Sequence, residues 1–279
     1  MSTQYDTIGL AYEGLKRLPA AKLERDNFHA TVEPFLHEAT TRVLDLACGT
    51  GYYSRLLLSW GAAAVVGVDI SPSMVAAARA SLSPAEVDKA TFLVGDCSKP
   101  LELSGLPPSN RRFDVVTGAW LLNYASSATE MTAMFSNIAA NLAPGGHFVG
   151  ITPHPTNDLA LMAQIFSLSW RQRKYGVRVE YVREVEDGYQ THVHVLGRRG
   201  EESMTPPSPQ ISFDSYHFRK DVYEGSARRG GMRGPLEWRS VTLPGAGSEV
   251  VNQEDYGVEE YDWDEYLEAP HFGILVIQK

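Results

Sequence analysis

Val43-Leu44-Asp45-Leu46-Ala47-Cys48-Gly49-Thr50-Gly51 is an apolar run that passes into a glycine-bearing turn, and Tyr52 to Trp60 follows with helical spacing. A strand buried on both faces has this near-continuous apolar character, and glycines at its end let the backbone turn tightly and approach a ligand that a side chain would obstruct. Working outward, Ala64 to Val68 reads as the next strand and Ser73 to Ser81 as the next helix. Ser71-Pro72 supplies an N-cap residue and a proline at the first helical position. Thr91 to Val94 and Phe113 to Thr117 read as strands. Ser127 to Leu142 reads as a helix ended by Ala143-Pro144-Gly145-Gly146, and His147 to Ile151 as a further strand. Strand and helix alternating from Thr41 to Thr152 predict an α/β fold, a mostly parallel sheet with helices on both faces.

Beyond Thr152 the pattern changes. Asn157 to Lys174 is helical, Arg178 to Val185 and Thr191 to Leu196 form a hairpin turned at Asp187-Gly188, and Pro206-Pro207-Ser208-Pro209 marks a loop. Ile211 to Phe218 then reads as a strand, Lys220 to Arg229 as a helix, and Glu237 to Leu243 and Phe272 to Gln278 as strands. Residues 1–40 read as one or two helices placed to cover the binding edge of the sheet.

The chain has 279 residues, 43% of them hydrophobic and 21% charged, which excludes disorder and collagen-like repeats. Its net charge is −9, and the nine acids between Glu249 and Glu268, with no Lys or Arg among them, account for all of it. Local acidity disfavours nucleic acid and anionic membrane near that segment. Two cysteines, Cys48 and Cys97, exclude a secreted disulfide framework and suit a reducing compartment, so a cytoplasmic location is expected. Neither a signal peptide nor a membrane anchor is expected.

Asp69 lies 18 residues after Gly51, at the end of the second strand, where a carboxylate accepts both hydroxyls of a ribose. The parts make a nucleoside site. A nicotinamide site wants room for a pyrophosphate at the helix N-terminus, whereas Tyr52 and Tyr53 crowd that approach. Asp45 would repel a phosphate and receive an ammonium group, directly or through water and backbone. The combination suits S-adenosylmethionine better than NAD.

At these residues, with Gly67-Val68-Asp69-Ile70-Ser71 and Gly95-Asp96-Cys97, the chain resembles the class I S-adenosylmethionine-dependent methyltransferases. It is most similar to the small-molecule branch that includes ubiquinone- and menaquinone-biosynthesis enzymes and the toxoflavin-type N-methyltransferases. Ala47 departs from the family, which usually has glycine there. The resemblance implies a Rossmann-like seven-stranded sheet in a single methyltransferase domain over residues 1–279. Within it, residues 1–40 would be an N-terminal helical cover, 41–152 the cofactor-binding core, 153–218 a substrate-side insertion before the last strands, and 219–279 the completion of the sheet.

The resemblance also implies roles. The backbones of Ala47 and Gly49 would contact the methionyl part, Gly51 would belong to the same cofactor-binding turn, and Asp69 would take the ribose. Ile70 and Met74 would flank adenine, Asp96 would accept its amino group, Cys97 would lend a backbone N–H, and Ala119 would lie beside the cofactor. Met74 read alone is a core residue and Asp96 read alone a turn residue. Tyr5-Asp6 and Tyr12 are similar to an N-terminal pattern of this branch that folds over the cofactor, which would bring Tyr12 and Arg17 to the methionyl carboxylate. In the family's strand order, Cys48 and Cys97 sit roughly 9 to 10 Å apart, beyond disulfide reach, and are expected as free thiols.

Methyl transfer from a sulfonium is an in-line displacement, so holding the reactants in line and excluding water is the main requirement, with a base where the nucleophile carries a proton. His154, just past the fifth strand, is the first candidate base, with Tyr124 and His217 beside it; Trp120, Asn123 and Tyr216 lie in the same regions. Asn123-Tyr124 lacks the two prolines of the Asn-Pro-Pro-Tyr motif used on amide and nucleobase nitrogens, which argues against a nucleobase or glutamine-side-chain target. His192 and His194 alternate on one strand face without a third ligand, so no metal is expected. The insertion's aromatics, Phe166, Trp170, Tyr175, Tyr181, Tyr189, Phe213, Tyr216 and Phe218, suit a pocket for a small-molecule acceptor such as a secondary metabolite, with no nucleic-acid module. A non-methylating cyclisation or elimination that retains S-adenosylmethionine, a non-catalytic cofactor-binding subunit and, last, an NAD oxidoreductase are the alternatives.

Overall fold

The computed structural model describes Gln4, Lys16 and residues 19–101, 103, 106, 112–168, 177–196, 209–243 and 263–279. Helix α1 (Pro19–Val32) leads into β1 (Arg42–Leu46), α2 (Tyr52–Ser59), β2 (Ala64–Asp69), α3 (Pro72–Ala80), β3 (Ala90–Val94), β4 (Phe113–Ala119), α4 (Ala128–Asn141) and β5 (Leu142–Pro153). There follow α5 (Leu159–Ser167), β6 (Val177–Val185), β7 (Gly188–Leu196), β8 (Pro209–Phe218), α6 (Lys220–Arg229), β9 (Leu236–Arg239), α7 (Trp263–Glu268) and β10 (Phe272–Gln278). Seven strands form one sheet in the order β3-β2-β1-β4-β5-β10-β9, the first five parallel and β10 antiparallel to both neighbours. This is the Rossmann-like α/β sheet that the strand–helix alternation predicts.

The two-residue period of the strands explains why both faces are covered. Val43, Val65, Val115 and Val149 pack with Phe28 and Val32 of α1 and Tyr53 and Leu57 of α2. Their neighbours Leu44, Val66, Val116 and Phe148 pack with Met131, Phe135 and Ile138 of α4 and Tyr223 and Ala227 of α6. Ser71 caps α3 by accepting the Met74 N–H, and Ser127 caps α4 by accepting that of Glu130. Such caps contribute about 1 kcal/mol each.

Strands β6, β7 and β8 make a separate antiparallel sheet between β5 and α6. The predicted hairpin is present, with Asp187 at φ 66° in its turn. Several boundaries differ from expectation. The helix from Asn157 is defined over Leu159–Ser167, and residues 169–176, including Trp170 and Tyr175, lie outside the described residues. Strand β9 stops at Arg239 because the chain then leaves the sheet to pair with α1: the Thr242 N–H donates to Asn27 Oδ1 at 2.9 Å, and Asn27 Nδ2 donates to the Thr242 carbonyl at 2.8 Å. The turn predicted at 143–146 belongs to β5, which begins at Leu142 opposite Phe113 and shifts register before His147 meets Val115. Among the described residues no helix is long and apolar enough to cross a membrane.

Gly67 sits mid-sheet between Asp45 and Phe92, and a Cβ there would stand 2.5 Å from Phe92 Cδ1 and 2.9 Å from Cys48 Sγ. Gly67→Ala is therefore expected to destabilise the protein by about 1 to 3 kcal/mol, read as a lower urea midpoint at an unchanged slope.

Candidate active site

Three loops meet beyond the carboxyl ends of β1, β2 and β3, stitched by Cys48 N–H to the Val68 carbonyl at 3.1 Å and Gly95 N–H to the Asp69 carbonyl at 2.9 Å. Ala47, Gly49 and Gly51 all have positive φ, at 56°, 55° and 78°. For alanine this costs about 1 to 2 kcal/mol, and it explains why glycine is the usual occupant of that position. A Cβ on Gly49 would meet nothing within 4 Å, whereas one on Gly51 would press on Phe92 at 3.0 Å. The space above Gly49 is open to a ligand, and Gly51 closes the turn below it.

Asp69 borders this space. Its Oδ2 accepts the Gly49 N–H at 2.8 Å and its Oδ1 the Ser71 N–H at 2.9 Å, which fixes the carboxylate at the loop's edge. Ile70 is 48% exposed beside it, an apolar surface free to face a base, while Met74 is buried. Asp96 accepts the Ser98 N–H and hydroxyl and pairs with Lys99 at 2.7 Å. Burial works to raise its pKa, but Lys99 and Ser98 outweigh it and hold the carboxyl below its usual range. Asn137 of α4 pins this loop through the Cys97 carbonyl and the Leu101 N–H. The Cys97 thiol is buried and pushed up to about 12, and both cysteines are free thiols, as expected. Open space over Gly49, an exposed apolar wall and a fixed carboxylate suit the nucleoside part of S-adenosylmethionine.

Asp45 lies beneath the loop, fully buried, its oxygens accepting the hydroxyls of Ser54 at 2.6 Å and Thr117 at 2.8 Å. Burial lifts its pKa to about 6, more than the two hydroxyls lower it. With both oxygens engaged, Asp45 would act on an ammonium group through its field. Tyr53 does not crowd the turn as the sequence reading expects. Tyr53 is buried edge-on to Phe28 of α1 at 4.9 Å, and Lys16 lies over both tyrosine rings.

The Tyr53 hydroxyl leads to Glu24, which sequence reasoning missed. This buried carboxylate on α1 accepts Tyr53 Oη at 2.6 Å, Trp120 Nε1 at 2.9 Å and Lys16 Nζ at 3.1 Å, with His271 Nε2 at 4.0 Å. Burial raises its pKa, but Lys16, His271 and Tyr53 overcome this and keep it ionised. Its signal was a charged residue on the α1 stripe of Ala20, Leu23, Asn27 and Phe28, all buried. Trp120, directly after β4, has φ 64°, a strained value for a bulky residue, and stacks on His271 at 5.8 Å.

Glu24 and Trp120 form part of the wall of a cavity of about 110 Å³ at the carboxyl ends of β4 and β5. Asn123, Tyr124 and Pro153 line it from the sheet side; Val177, Val179, Tyr181, Thr191, Val193, Phe213, Ser215 and His217 roof it. The roof residues are all odd-numbered, one face of the inserted sheet. His192 and His194 occupy the other face, where they approach Asp214 at 2.5 Å and Glu180 at 3.4 Å. Tyr216 stacks on Phe218 and packs against the main core, away from His217.

His217 is buried, with Nδ1 2.8 Å from Tyr181 Oη and Nε2 2.8 Å from the His154 carbonyl. A carbonyl only accepts, so Nε2 carries the proton and Nδ1 accepts from the tyrosine. Burial lowers the His217 pKa to about 4, against the pull of that carbonyl, and raises that of Tyr181. Of the candidate bases, His217 and Tyr124 line the cavity. His154 contributes its carbonyl, and Pro153 takes the lining position beside it. Tyr12 and Arg17 lie outside the described residues.

Residues 43–146 match a family model described as a methyltransferase domain. The chain is similar to an mRNA cap guanine-N(7) methyltransferase of Schizosaccharomyces pombe, 29% identical over 160 residues that cover 56% of this chain and 41% of that protein. It is also similar to a trans-aconitate 2-methyltransferase of Methylobacterium nodulans, 33% identical over 109 residues, 39% of this chain and 36% of the relative. Its fold is similar to that of an S-adenosylmethionine-dependent methyltransferase from Mesorhizobium loti, with a TM-score of 0.54 and 20% identity over 95% of this chain and 100% of that one. The chain spans about half the length, or less, of the curated relatives it matches. Sheet order, glycine turn and domain match converge: residues 43–146 match a methyltransferase domain, and the fold around them is similar to that of S-adenosylmethionine-dependent methyltransferases.

A raised carboxyl pKa means that the fold prefers protonated Asp45, so its contribution is full below the ordinary 3.8 and lost as pH rises through about 6. Relative to Asp45→Asn, the wild type is expected to lose up to about 3 kcal/mol between pH 4 and 7 and nothing further above. Urea denaturation of both proteins across that range measures the difference.

Proposed function

We propose that this chain transfers the methyl group of S-adenosylmethionine to a small, largely apolar molecule held under the inserted sheet. The observation that carries the reading is the roofed cavity at the carboxyl ends of β4 and β5, where ligands of open α/β sheets bind. The Methylobacterium relative, named for trans-aconitate, supports a small acceptor. The Schizosaccharomyces relative is named for the mRNA cap, but here Lys16, which lines the cavity among the described residues, is paired with Glu24, and the lining surface is mostly apolar.

S-adenosylmethionine supplies a methyl on a positively charged sulfur when bound. The protein's residues orient and exclude water. Asp69 would take the ribose hydroxyls, the backbone of Ala47 and Gly49 the methionyl part, Ile70 one face of adenine, and Asp96 its amino group. Trp120, anchored by Glu24 and His271, shapes the cavity floor. Tyr181 gives its proton to His217 Nδ1 and keeps oxygen lone pairs for an acceptor O–H or N–H. A proton leaving the nucleophile would move to Tyr181 as the phenol proton passes to His217. Burial, which lowers the His217 pKa to about 4, keeps the pair neutral throughout the physiological range and makes it a weak base.

Calorimetry should give micromolar binding of S-adenosylmethionine and S-adenosylhomocysteine and none of NADH; a folded protein that binds neither sulfur compound overturns the proposal. Asp69→Ala should weaken that binding at least tenfold, given about 1.5 to 3 kcal/mol for each hydrogen bond to a charged group. In an acceptor screen with methyl-labelled donor, His217→Gln and Tyr181→Phe should lower turnover by about two orders of magnitude with cofactor affinity within twofold. Full turnover in both variants removes the pair from the reaction.

A further inference from the structure

Among the described residues that line the cavity, one buried side-chain atom lacks a hydrogen-bond partner. Glu24 receives three donors, Thr191 and Ser215 bond each other at 2.8 Å, and His217 is held at both ring nitrogens. Asn123 differs. It is 3% exposed, lines the cavity, and its Oδ1 is buried without a hydrogen-bond partner among the described residues. Buried polar groups are almost always satisfied, so one left open in the wall of a ligand cavity calls for an explanation, and a bound molecule that completes it is one.

The reason it stays open is local. Asn123 stands in the 3-10 turn Leu122–Tyr124 that follows the strained Trp120, and the buried apolar side chains of Leu121, Leu122 and Ala125 flank it. The neighbouring carbonyls of Leu121 and Leu122 are used within the turn by the Tyr124 and Ala125 N–H groups. A carboxamide presents a donor and an acceptor side by side, and its terminal torsion is soft enough to turn either toward the cavity. The group that satisfies both is its mirror, an uncharged edge with an N–H or O–H next to a carbonyl or imine.

Building on the methyl-transfer reading, we propose that Asn123 is the specificity residue of the acceptor site and that the acceptor carries such an amide-like edge, as in a lactam or a hydroxylated nitrogen heterocycle. The apolar roof then covers the rest of the ring system, and Tyr181 meets the nucleophile. A charged carboxylate or ammonium at this position is disfavoured, because Asn123 brings no compensating charge and Lys16 and Glu24 neutralise each other.

The test needs neither turnover nor knowledge of the natural acceptor. 2-Pyridone has the edge, and 1-methyl-2-pyridone lacks its donor. Titrated by ligand-observed NMR into the full chain, 2-pyridone should bind at least about tenfold more tightly, the worth of a hydrogen bond completed at a buried group. In Asn123→Leu, checked for folding by circular dichroism and replaced by Asn123→Ser if it does not fold, the preference should fall below twofold. Equal affinities in the wild type, no saturable binding of either compound, or a preference that survives in the variant would each overturn the proposal. S-adenosylhomocysteine binding by the same samples reports on the methyltransferase reading separately, so one can fail without the other.

Discussion

The buried carboxylate of Glu24 is the constraint on which the geometry of the site depends. It sits on a helix outside the parallel core, yet it receives Tyr53 from the helix that opens at the glycine turn, Trp120 from the end of β4, and the Lys16 ammonium. A lone ion at that depth would be neutralised, and only the convergence of three donors keeps it charged. Charge and position are therefore mutually dependent. The donors hold the carboxylate ionised, and the carboxylate adds a polar tie between three chain segments that also meet through Phe28, Tyr53 and Trp120. Through it the cofactor half and the acceptor half of the site become one rigid unit.

Rigidity at this point supports backbone strain. Trp120 at positive φ is disfavoured by about 1 to 2 kcal/mol and persists because its surroundings over-determine it: its N–H donates to the Ile151 carbonyl at 3.0 Å, its indole N–H to Glu24, and its ring stacks on His271. Ala47 carries similar strain for a different reason, since the loop needs a left-handed residue there and the chain supplies alanine. In both places an unfavourable torsion lies directly beyond a strand's carboxyl end, where the chain must leave the sheet abruptly to leave room for a ligand. The strain follows from building a cleft at the edge of a closely packed sheet.

The core of the fold was legible because its signals are local. Buried parallel strands, the Ser71 and Ser127 caps and the helix from Lys220 to Arg229 leave patterns that need no partner to be read. Asp69 was legible for the same reason, since its spacing from Gly51 follows from one βαβ unit. Features set by tertiary packing were not. Tyr52 and Tyr53 follow the glycine turn in sequence, but the direction of α2 sends Tyr53 into α1. His154 lies closer in sequence to a strand end than His217, yet the inserted sheet folds back so that His217 reaches the cavity and His154 offers only a carbonyl. Alternation groups the odd-numbered residues of that sheet on one face, but that this face is the roof follows from how the sheet folds back over β4 and β5.

The two halves of the site are built from different materials, and this has a consequence for specificity. The cofactor cleft relies on backbone torsions at Ala47, Gly49 and Gly51 and on one fixed carboxylate, so most substitutions there disturb the turn itself. The acceptor cavity relies on alternate side chains of three strands whose ladder hydrogen bonds do not depend on side-chain identity. The opposite face holds its own pairs, His192 with Asp214 and Arg178 with Glu180, and these stay in place when a roof residue changes. A valine of the roof can thus be exchanged for a larger or smaller apolar residue with little effect on register, and the cavity changes shape while the methyl-donor site does not move. On the proposed reading, acceptor choice would be adjustable one side chain at a time, within the limit set by the polar floor of Trp120, Asn123 and Glu24.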